Sequence, residues 1–164
     1  MTIINLTALP KLRETYGSKK IVFCSGSFDL THLGHAIFFN KCKEYGEILL
    51  VAVGSDSIVK SLKGNNRPIL SESTRLKMVD FLKPVDFTLL DTYTSKEDIH
   101  AIFKLVFEML KPDFYIVNED IADIAERKKL AESFNVNFIV LNRLAESFEE
   151  VSTSRIIEKI KKND

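Results

Sequence analysis

GSFDLTHLGH, residues 26–35, is the stretch from which the fold of this chain can be predicted. It follows the apolar run Ile21-Val22-Phe23-Cys24, which is typical of a buried strand, and it precedes apolar residues at helical spacing from Ala36 to Tyr45. The stretch therefore predicts a turn that leads from a strand into a helix. Repetition of this pattern along the chain is what an α/β fold requires.

The same turn carries groups that suit a negatively charged ligand. Gly26 and Gly34 let a ligand approach the main chain closely, and His32 and His35 stand three residues apart at the start of the predicted helix. The free N–H groups and the positive dipole end of a helix start favour an anion, to which imidazoles donate further hydrogen bonds. The pattern indicates a phosphate site, while a partial metal site or ordinary helix-start residues are the alternatives.

Length and charge limit the classes of protein. The chain has 164 residues, 45% of them apolar, which is enough for one compact domain and too few for two. We expect a single domain over 1–164, with a lead-in segment at 1–18 and a C-terminal helix at 151–164. The 23 basic residues balance 23 acidic ones, so neither nucleic acid nor a membrane surface is an expected partner.

The remaining composition predicts a cytoplasmic protein. The N-terminal residues lack the basic start and apolar middle of a secretion signal, and no apolar run is long enough to span a bilayer. The two cysteines, Cys24 and Cys42, suit reduced buried thiols better than a disulfide framework or a metal cluster.

Apolar runs and helical periodicities alternate along the chain. Predicted strands cover 20–25, 48–53, 85–90, 114–117 and 136–141. Predicted helices cover 7–16, 36–46, 71–84, 99–110 and 119–134, followed by the C-terminal helix. This alternation predicts a doubly wound, Rossmann-like α/β domain with a parallel five-stranded sheet, in which ligands bind at the carboxyl ends of the strands. The helix at 99–110 has an unusually wide apolar face, which indicates either deep burial or a homodimer contact.

A polar stretch from Gly54 to Pro68 leaves the second predicted strand. We interpret it as a connector on the same rim as the histidine turn, able to fold over a bound triphosphate. Lys63 would then supply a point charge, and Arg67 would bind phosphate in a bidentate manner. A solvated connector is the alternative. Arg75, in the next helix, is expected on the polar side of that helix.

The segment Ser152-Thr153-Ser154 opens the C-terminal helix. Its hydroxyls and the free N–H groups of the helix start would form a second anion site, although an ordinary N-cap has the same residues. Two helix starts could then hold one triphosphate from opposite sides.

The sequence of residues 26–35 resembles the Gly-x-Phe-Asp-x-x-His-x-Gly-His signature of the cytidylyltransferase-like nucleotidylyltransferases. These enzymes join a nucleoside monophosphate to a phosphorylated small molecule and release pyrophosphate. The Ser152-Thr153-Ser154 segment is similar to the Ser/Thr-Ser/Thr-x-Ile element of the same superfamily. Residues 62–68 resemble the Leu-Lys-Gly-x-x-Arg-Pro segment of the heptose-1-phosphate adenylyltransferase branch, which the glycerol-3-phosphate and ethanolamine-phosphate cytidylyltransferases match less well.

The chain departs from the heptose branch after the fourth strand. That branch carries Val-Lys-Gly-Gly-Asp, whereas this chain has Val117-Asn118-Glu119-Asp120-Ile121 and a longer, more acidic segment at 142–150. Both segments lie on the rim where the family holds the base and the acceptor. The resemblance therefore favours ATP as the nucleotide, leaves CTP open, and makes an acceptor other than the ordinary heptose phosphate an expectation.

The resemblance also implies roles for individual residues, with Mg²⁺ accompanying the nucleoside triphosphate and no protein side chain assigned to the metal. The implied catalytic residues are His32, His35 and Lys63. The implied nucleotide-binding residues are Gly26, Ser27, Phe28, Asp29, Gly34, Arg67, Asn118, Ser152, Thr153 and Ser154. The implied acceptor-binding residues are Asp56 and Arg143.

Several functions stay open from the sequence. The expected activity is nucleotidyl transfer to a phosphorylated sugar or polyol, and a cytidylyltransferase acting on glycerol 3-phosphate is the first alternative. A nucleotide-binding regulator without catalysis is the second. A histidine-based metal hydrolase lacks a third ligand, because His100 lies in an apolar helix and is expected to be structural. Asp29 has two open roles, one toward the ligand and one in holding the turn.

Overall fold

The computed structural model describes residues 2–92, 99–142 and 152–162, and in them a parallel sheet is enclosed by helices. The strands are β1 Thr2–Ile4, β2 Ile21–Gly26, β3 Ile48–Gly54, β4 Phe87–Asp91, β5 Phe114–Asn118 and β6 Asn137–Leu141. The helices are α1 Leu9–Thr15, α2 Leu33–Lys43, α3 Asp56–Lys63, α4 Glu72–Asp80, α5 Ile99–Leu110, α6 Ile124–Ser133 and α7 Thr153–Lys161, with a 3-10 turn at Leu6–Ala8. The predicted doubly wound α/β fold is confirmed.

The sheet has six strands in the described residues rather than the predicted five. The additional strand is β1, which pairs with β4 at the edge of the sheet. It has only three residues, and Thr2 and Ile3 are exposed, so neither a run of buried residues nor an alternating pattern marks it in the sequence.

The strand order β1-β4-β3-β2-β5-β6 decides where a ligand can bind. From β2 the chain moves in one direction to β3 and β4, and it returns to the other side of β2 to form β5 and β6. The switch point therefore lies between β2 and β5. In open α/β sheets the crevice at the carboxyl ends of such strands is the usual ligand site.

Alternate residues of the central strands pack into two cores, one on each face of the sheet. On β2, Ile21 and Phe23 join α1 and α5, whereas Val22 and Cys24 join α2 and α4. This arrangement explains why the strands have no polar face, since both faces are covered by helices.

The wide apolar face of α5 is explained by burial within the chain. Phe103 and Phe107 are 2% and 1% exposed, and both rings contact the core ring of Tyr115 at centroid distances of 5.5 and 5.3 Å. Of the two interpretations of this helix, deep burial is the one observed in the structure.

Two segments differ from their predicted conformation. The connector after β3 contains α3, which begins after the N-cap Ser55 and buries Ile58 and Val59 against the domain. Helix α6 begins at Ile124, five residues later than predicted, so residues 119–123 form a loop at the end of β5.

No helix among the described residues has the length and apolar character needed to cross a membrane.

Candidate active site

The turn after β2 places both histidines at the start of α2. His32 is the N-cap, and its backbone N–H donates to Nδ1 of His35 at 3.4 Å. The two rings stack with their centroids 3.8 Å apart. Because Nδ1 of His35 accepts this bond, a neutral His35 carries its proton on Nε2 and can donate it to a ligand.

The Phe28 ring packs against the histidine turn and the first helical turns of α2. Its side chain is 6% exposed and its ring contacts the rings of His35 and Phe39 at 5.4 and 4.9 Å. A Cβ atom on Gly26 would lie 2.9 Å from the Phe28 ring, so that ring would have to shift to admit a side chain. The absence of a side chain at Gly26 therefore lets the Phe28 ring pack closely against the main chain. Phe28 and Leu30 have positive φ values of 46° and 45°, which make the turn sharp.

Asp29 holds the turn against the segment that follows α3. Its carboxylate accepts from Arg67 Nε at 2.9 Å and from the N–H groups of Ile69 and Leu70 at 2.8 and 3.0 Å. Burial alone would raise the pKa of Asp29, but these backbone hydrogen bonds and the Arg67 charge outweigh burial and lower it. Asp29 is 1% exposed, so its position favours the role of holding the turn.

Arg75 fixes the same region from α4. It is completely buried, contrary to its predicted place on a polar surface, because it has three partners. Its guanidinium donates to the Ser27 carbonyl at 2.6 Å, to the Leu70 carbonyl at 2.9 Å and to Asp56 Oδ1 at 2.8 Å. Asp56 thus pairs with a structural arginine.

Lys63 is the last residue of α3, and its Nζ donates to Ser27 Oγ at 2.8 Å. Partial desolvation and the neighbouring Arg67 charge lower the pKa of Lys63 below its usual 10.5. A bound anion at this place would oppose both effects, because its negative charge would offset the Arg67 charge and stabilise the ammonium form of Lys63.

The start of α7 meets the histidine turn directly. Ser152 is the N-cap and accepts from the Arg155 N–H at 3.2 Å, as the sequence predicts for a helix start. Thr153 Oγ1 donates to the Asp29 carbonyl at 2.6 Å. The N-termini of α2 and α7 therefore face the same space, which we call the first cleft.

The first cleft has a volume of about 520 Å³. Most of the predicted site residues line it, namely Ser27, His32, Gly34, His35, Lys63, Arg67, Asn118, Ser152, Thr153 and Ser154. Its lining also includes Lys41, Asp120 and Asn142, which were not predicted. Lys41 could have been found from its spacing of seven residues from Gly34, which is two turns of α2 and the same helix face, whereas Asp120 and Asn142 depend on where two loops meet.

A second cleft of about 640 Å³ adjoins the first and shares Ser27, Lys63 and Asp120 with it. Gly26 lines this second cleft. Asp56 lines neither cleft, and Arg143 falls outside the described residues.

The candidate metal ligands of the site are oxygen atoms. The Asp120 carboxylate and the Asn118 and Asn142 amides line the first cleft, and these are ligands that Mg²⁺ accepts. Within residues 2–92, 99–142 and 152–162, no group of three or more His, Cys, Asp or Glu side chains is arranged to hold an ion. His100, the third histidine of the chain, lies with its Nε2 atom 3.0 Å from Asp123 Oδ2 and lines the second cleft rather than the first.

Comparisons with known proteins give one family match and several similar relatives for this chain. The family described as cytidylyltransferase-like matches residues 23–159. The protein named bifunctional protein HldE of Helicobacter pylori (strain ATCC 700392 / 26695) is 38% identical over 157 residues, which are 96% of this chain and 31% of that protein. The HldE protein of Campylobacter jejuni (strain RM1221) is 38% identical over 144 residues, 87% of this chain and 28% of that protein. The chain spans about a third of the length of the curated relatives it matches.

Solved structures share the architecture. A lipopolysaccharide core biosynthesis protein from Thermoplasma volcanium GSS1 aligns with a TM-score of 0.63 and 28% identity, over 79% of this chain and 99% of that one. Pantothenate synthetase from Thermus thermophilus aligns with a TM-score of 0.65 over 99% of this chain and 70% of that one, and at 14% identity it shows the fold alone. The family match covers the histidine turn, both clefts and the start of α7, so this chain belongs to the cytidylyltransferase-like family.

Proposed function

We propose that this chain is a nucleotidylyltransferase that transfers a nucleoside monophosphate from a nucleoside triphosphate to a phosphorylated sugar or polyol and releases pyrophosphate. The observation that carries the proposal is the meeting of two helix N-termini, those of α2 and α7, with Lys63 and Arg67 at one cleft. Helix N-termini and fixed cations are complementary to a polyphosphate.

The reaction needs no covalent protein nucleophile. An oxygen of the acceptor phosphate attacks the α-phosphorus of the nucleotide in line. The bond from the α-phosphorus to the oxygen that bridges to the β-phosphate breaks as the new bond forms, and that oxygen leaves with pyrophosphate. The residues contribute position and electrostatic stabilisation.

Each site residue then has a role that follows from its position. His32 and His35 donate to phosphate oxygens and stabilise the charge that develops around the α-phosphorus. Ser152, Thr153 and the N–H groups of α7 hold the β- and γ-phosphates.

Lys63 stands where the two clefts join, so it can contact both reacting phosphates. Asp29 and Arg75 act through other groups, since Asp29 orients Arg67 and Arg75 fixes the Ser27 carbonyl. Mg²⁺ would be held chiefly by the triphosphate, with Asp120, Asn118 and Asn142 as the protein groups available to it. It would supply further neutralisation of phosphate charge.

The choice of substrates rests on the relatives. The lipopolysaccharide core biosynthesis protein supports a saccharide acceptor, and the resemblance of residues 62–68 to the heptose-1-phosphate adenylyltransferase branch favours ATP. Asn118 stands at the end of β5 in the first cleft, where it could contact a base, so CTP is tested beside ATP in the pyrophosphate assay.

Pyrophosphate release tests the proposal. The protein is mixed with Mg²⁺, ATP or CTP, and heptose 1-phosphate, glycerol 3-phosphate, phosphoethanolamine or another sugar phosphate. We expect release with ATP and a sugar phosphate. Release with CTP and glycerol 3-phosphate would identify a cytidylyltransferase of the other branch, and nucleotide binding without release from any acceptor would identify a regulator.

We also propose a homodimer in a reducing, cytoplasmic compartment. Cys24 and Cys42 are buried free thiols, which suits a reducing environment. Met78 and Phe81 are 42% and 70% exposed near the end of α4, and a second copy could cover these apolar side chains. Light scattering at micromolar concentration tests the dimer, and a mass of one chain, 18.7 kDa, would contradict it.

A further inference from the structure

Arg127 of α6 is a buried arginine that the sequence did not single out. It is 8% exposed, its Nε donates to Asp123 Oδ1 at 2.7 Å, and its guanidinium lies 4.5 Å from the centroid of the Phe103 ring. Its Nη1 donates to the Tyr115 hydroxyl at 2.6 Å and to Ser25 Oγ at 3.3 Å. Because Ser25 belongs to β2 and Tyr115 to β5, Arg127 joins the two strands at the switch point of the sheet.

The Tyr115 and Ser25 hydroxyls also contact each other, with their oxygen atoms 3.3 Å apart. A guanidinium group donates hydrogen bonds and accepts none, so both hydroxyl oxygens accept from Arg127. Each hydroxyl has one proton to donate, and only one of the two can donate to the other. One proton of the pair is therefore left for a third partner.

Burial decides which hydroxyl has that remaining proton. Tyr115 is 0% exposed, and burial raises its pKa, so its hydroxyl stays protonated. Within the part of the chain that the structure describes, Arg127 and Ser25 are the hydrogen-bond partners of this hydroxyl. A Tyr115 proton directed away from Ser25 would be left without an acceptor in the core, which is costly. Tyr115 therefore donates to Ser25.

The remaining proton belongs to Ser25, which is partly exposed and lines the second cleft. Lys63 lines the same cleft, and its Nζ donates to Ser27 Oγ, two residues beyond Ser25. A hydroxyl that is fixed as a donor and an ammonium group are both complementary to an oxyanion. The second cleft therefore offers two donors to a negatively charged oxygen.

Resting on the proposed function, we infer that Arg127 and Tyr115 are positioning residues that fix the Ser25 hydroxyl as a donor to an anionic oxygen of the phosphorylated second substrate. Ser25 binds the substrate itself, whereas Tyr115 and Arg127 act through Ser25. An ammonium group could not replace that oxygen, because it would meet the Ser25 proton and the Lys63 charge. The arrangement makes Ser25 selective for the charge of the group that it contacts.

Two substitutions separate the donor from the residue that orients it. Ser25→Ala removes the donor. Tyr115→Phe removes the hydroxyl from which Ser25 accepts and leaves Ser25 with its bond from Arg127. Ser133→Ala is the matched control, because Ser133 lies at the end of α6, donates to the Leu130 carbonyl at 2.7 Å and lines neither cleft.

The readouts are the KM of the phosphorylated acceptor that the wild-type protein uses and the Kd of ATP with Mg²⁺, measured by calorimetry. We expect Ser25→Ala to raise the acceptor KM about tenfold, the scale for loss of one hydrogen bond to a charged group. Tyr115→Phe should raise it about threefold, since one of the two bonds that orient Ser25 remains. The ATP Kd should be unchanged in both variants, and Ser133→Ala should change neither constant.

The double variant Ser25→Ala/Tyr115→Phe shows whether Tyr115 acts through Ser25. Without the serine hydroxyl Tyr115 has nothing to orient, so the double variant should have the acceptor KM of Ser25→Ala. A rise to about thirtyfold, the product of the single effects, would mean that Tyr115 acts independently and would overturn the inference. An unchanged acceptor KM in Ser25→Ala, or an equal rise in its ATP Kd, would overturn it as well. Each of these results leaves the transferase proposal standing, whereas no pyrophosphate from the wild-type protein with any acceptor would refute both proposals.

Discussion

Replacement of Asp29 by asparagine tests how the histidine turn is held. The substitution keeps the shape of the side chain, removes its charge and turns one oxygen into a donor. Asp29 Oδ2 accepts from Arg67 Nε and the Ile69 N–H, while Oδ1 accepts from the N–H groups of Leu70 and Leu30. Whichever way the amide is oriented, one of these pairs of donors loses its acceptor.

The cost follows from the number and kind of bonds lost. A hydrogen bond to a charged group contributes about 1.5–3 kcal/mol, and loss of one partner from a buried ion pair costs about 3–5 kcal/mol. Because the Arg67 side chain is 12% exposed and can gain water, we expect the lower end, about 3 kcal/mol. For a chain of 164 residues this corresponds to a fall in Tm of roughly 6–12 °C.

Urea unfolding at several pH values measures this cost. The lowered pKa of Asp29 means that its stabilisation is complete above the unfolded value near 3.8 and is lost as the pH falls through the folded pKa. The difference between wild type and Asp29→Asn should therefore be full at pH 7 and shrink below about pH 4. A difference below about 0.5 kcal/mol at pH 7 would refute the role assigned to Asp29.

A matched control separates stability from activity. Asp113 accepts from the Ile21 N–H at 2.8 Å and from Arg13 Nη2 at 2.9 Å, at the amino ends of the strands and far from both clefts. Asp113→Asn should lower stability by about 1 kcal/mol and leave kcat unchanged. Asp29→Asn should in addition lower kcat/KM, because Arg67 loses the group that orients it.

Three further substitutions test the site. His35→Ala should lower kcat by about two powers of ten, the scale for loss of one preorganised donor, and undiminished turnover would remove His35 from the mechanism. Gly26→Ala should cost about 1–3 kcal/mol in urea unfolding, since the new methyl would meet the Phe28 ring at 2.9 Å, and a neutral result would contradict the packing described. Because the pKa of Lys63 is lowered, kcat/KM should begin to fall with rising pH below pH 10.5. Lys63→Arg should abolish this fall, because arginine stays charged, and a fall that persists in the variant would assign it to another group.

Local patterns in the sequence predicted most of the fold. The apolar runs identified every strand except β1, and the N-cap residues Ser71 and Ser152 marked the starts of α4 and α7. These features depend on neighbouring residues along the chain. The α3 helix was missed because its polar face and flanking glycines are also typical of a solvated connector.

Features that depend on distant partners were not predictable. Arg75 is buried because the Ser27 carbonyl, 48 residues away, and the Asp56 carboxylate both accept from it. The spacing of four residues between Asp123 and Arg127 is a local signal for their ion pair, but the contacts of Arg127 with Tyr115 and Phe103 depend on the packing of other elements. The first cleft could be predicted because family-like motifs mark it, whereas the second cleft is formed by residues from several elements that share no motif.

Phosphorus NMR of the complete reaction tests the central claim most directly. The protein is incubated with ATP, Mg²⁺ and the sugar phosphate that gives pyrophosphate, and the spectrum is followed with time. Nucleotidyl transfer predicts two coupled resonances from a new diphosphate that joins the nucleoside to the sugar, in amounts equal to the pyrophosphate formed. AMP and pyrophosphate without that diphosphate would mean that water is the acceptor, and would contradict the account.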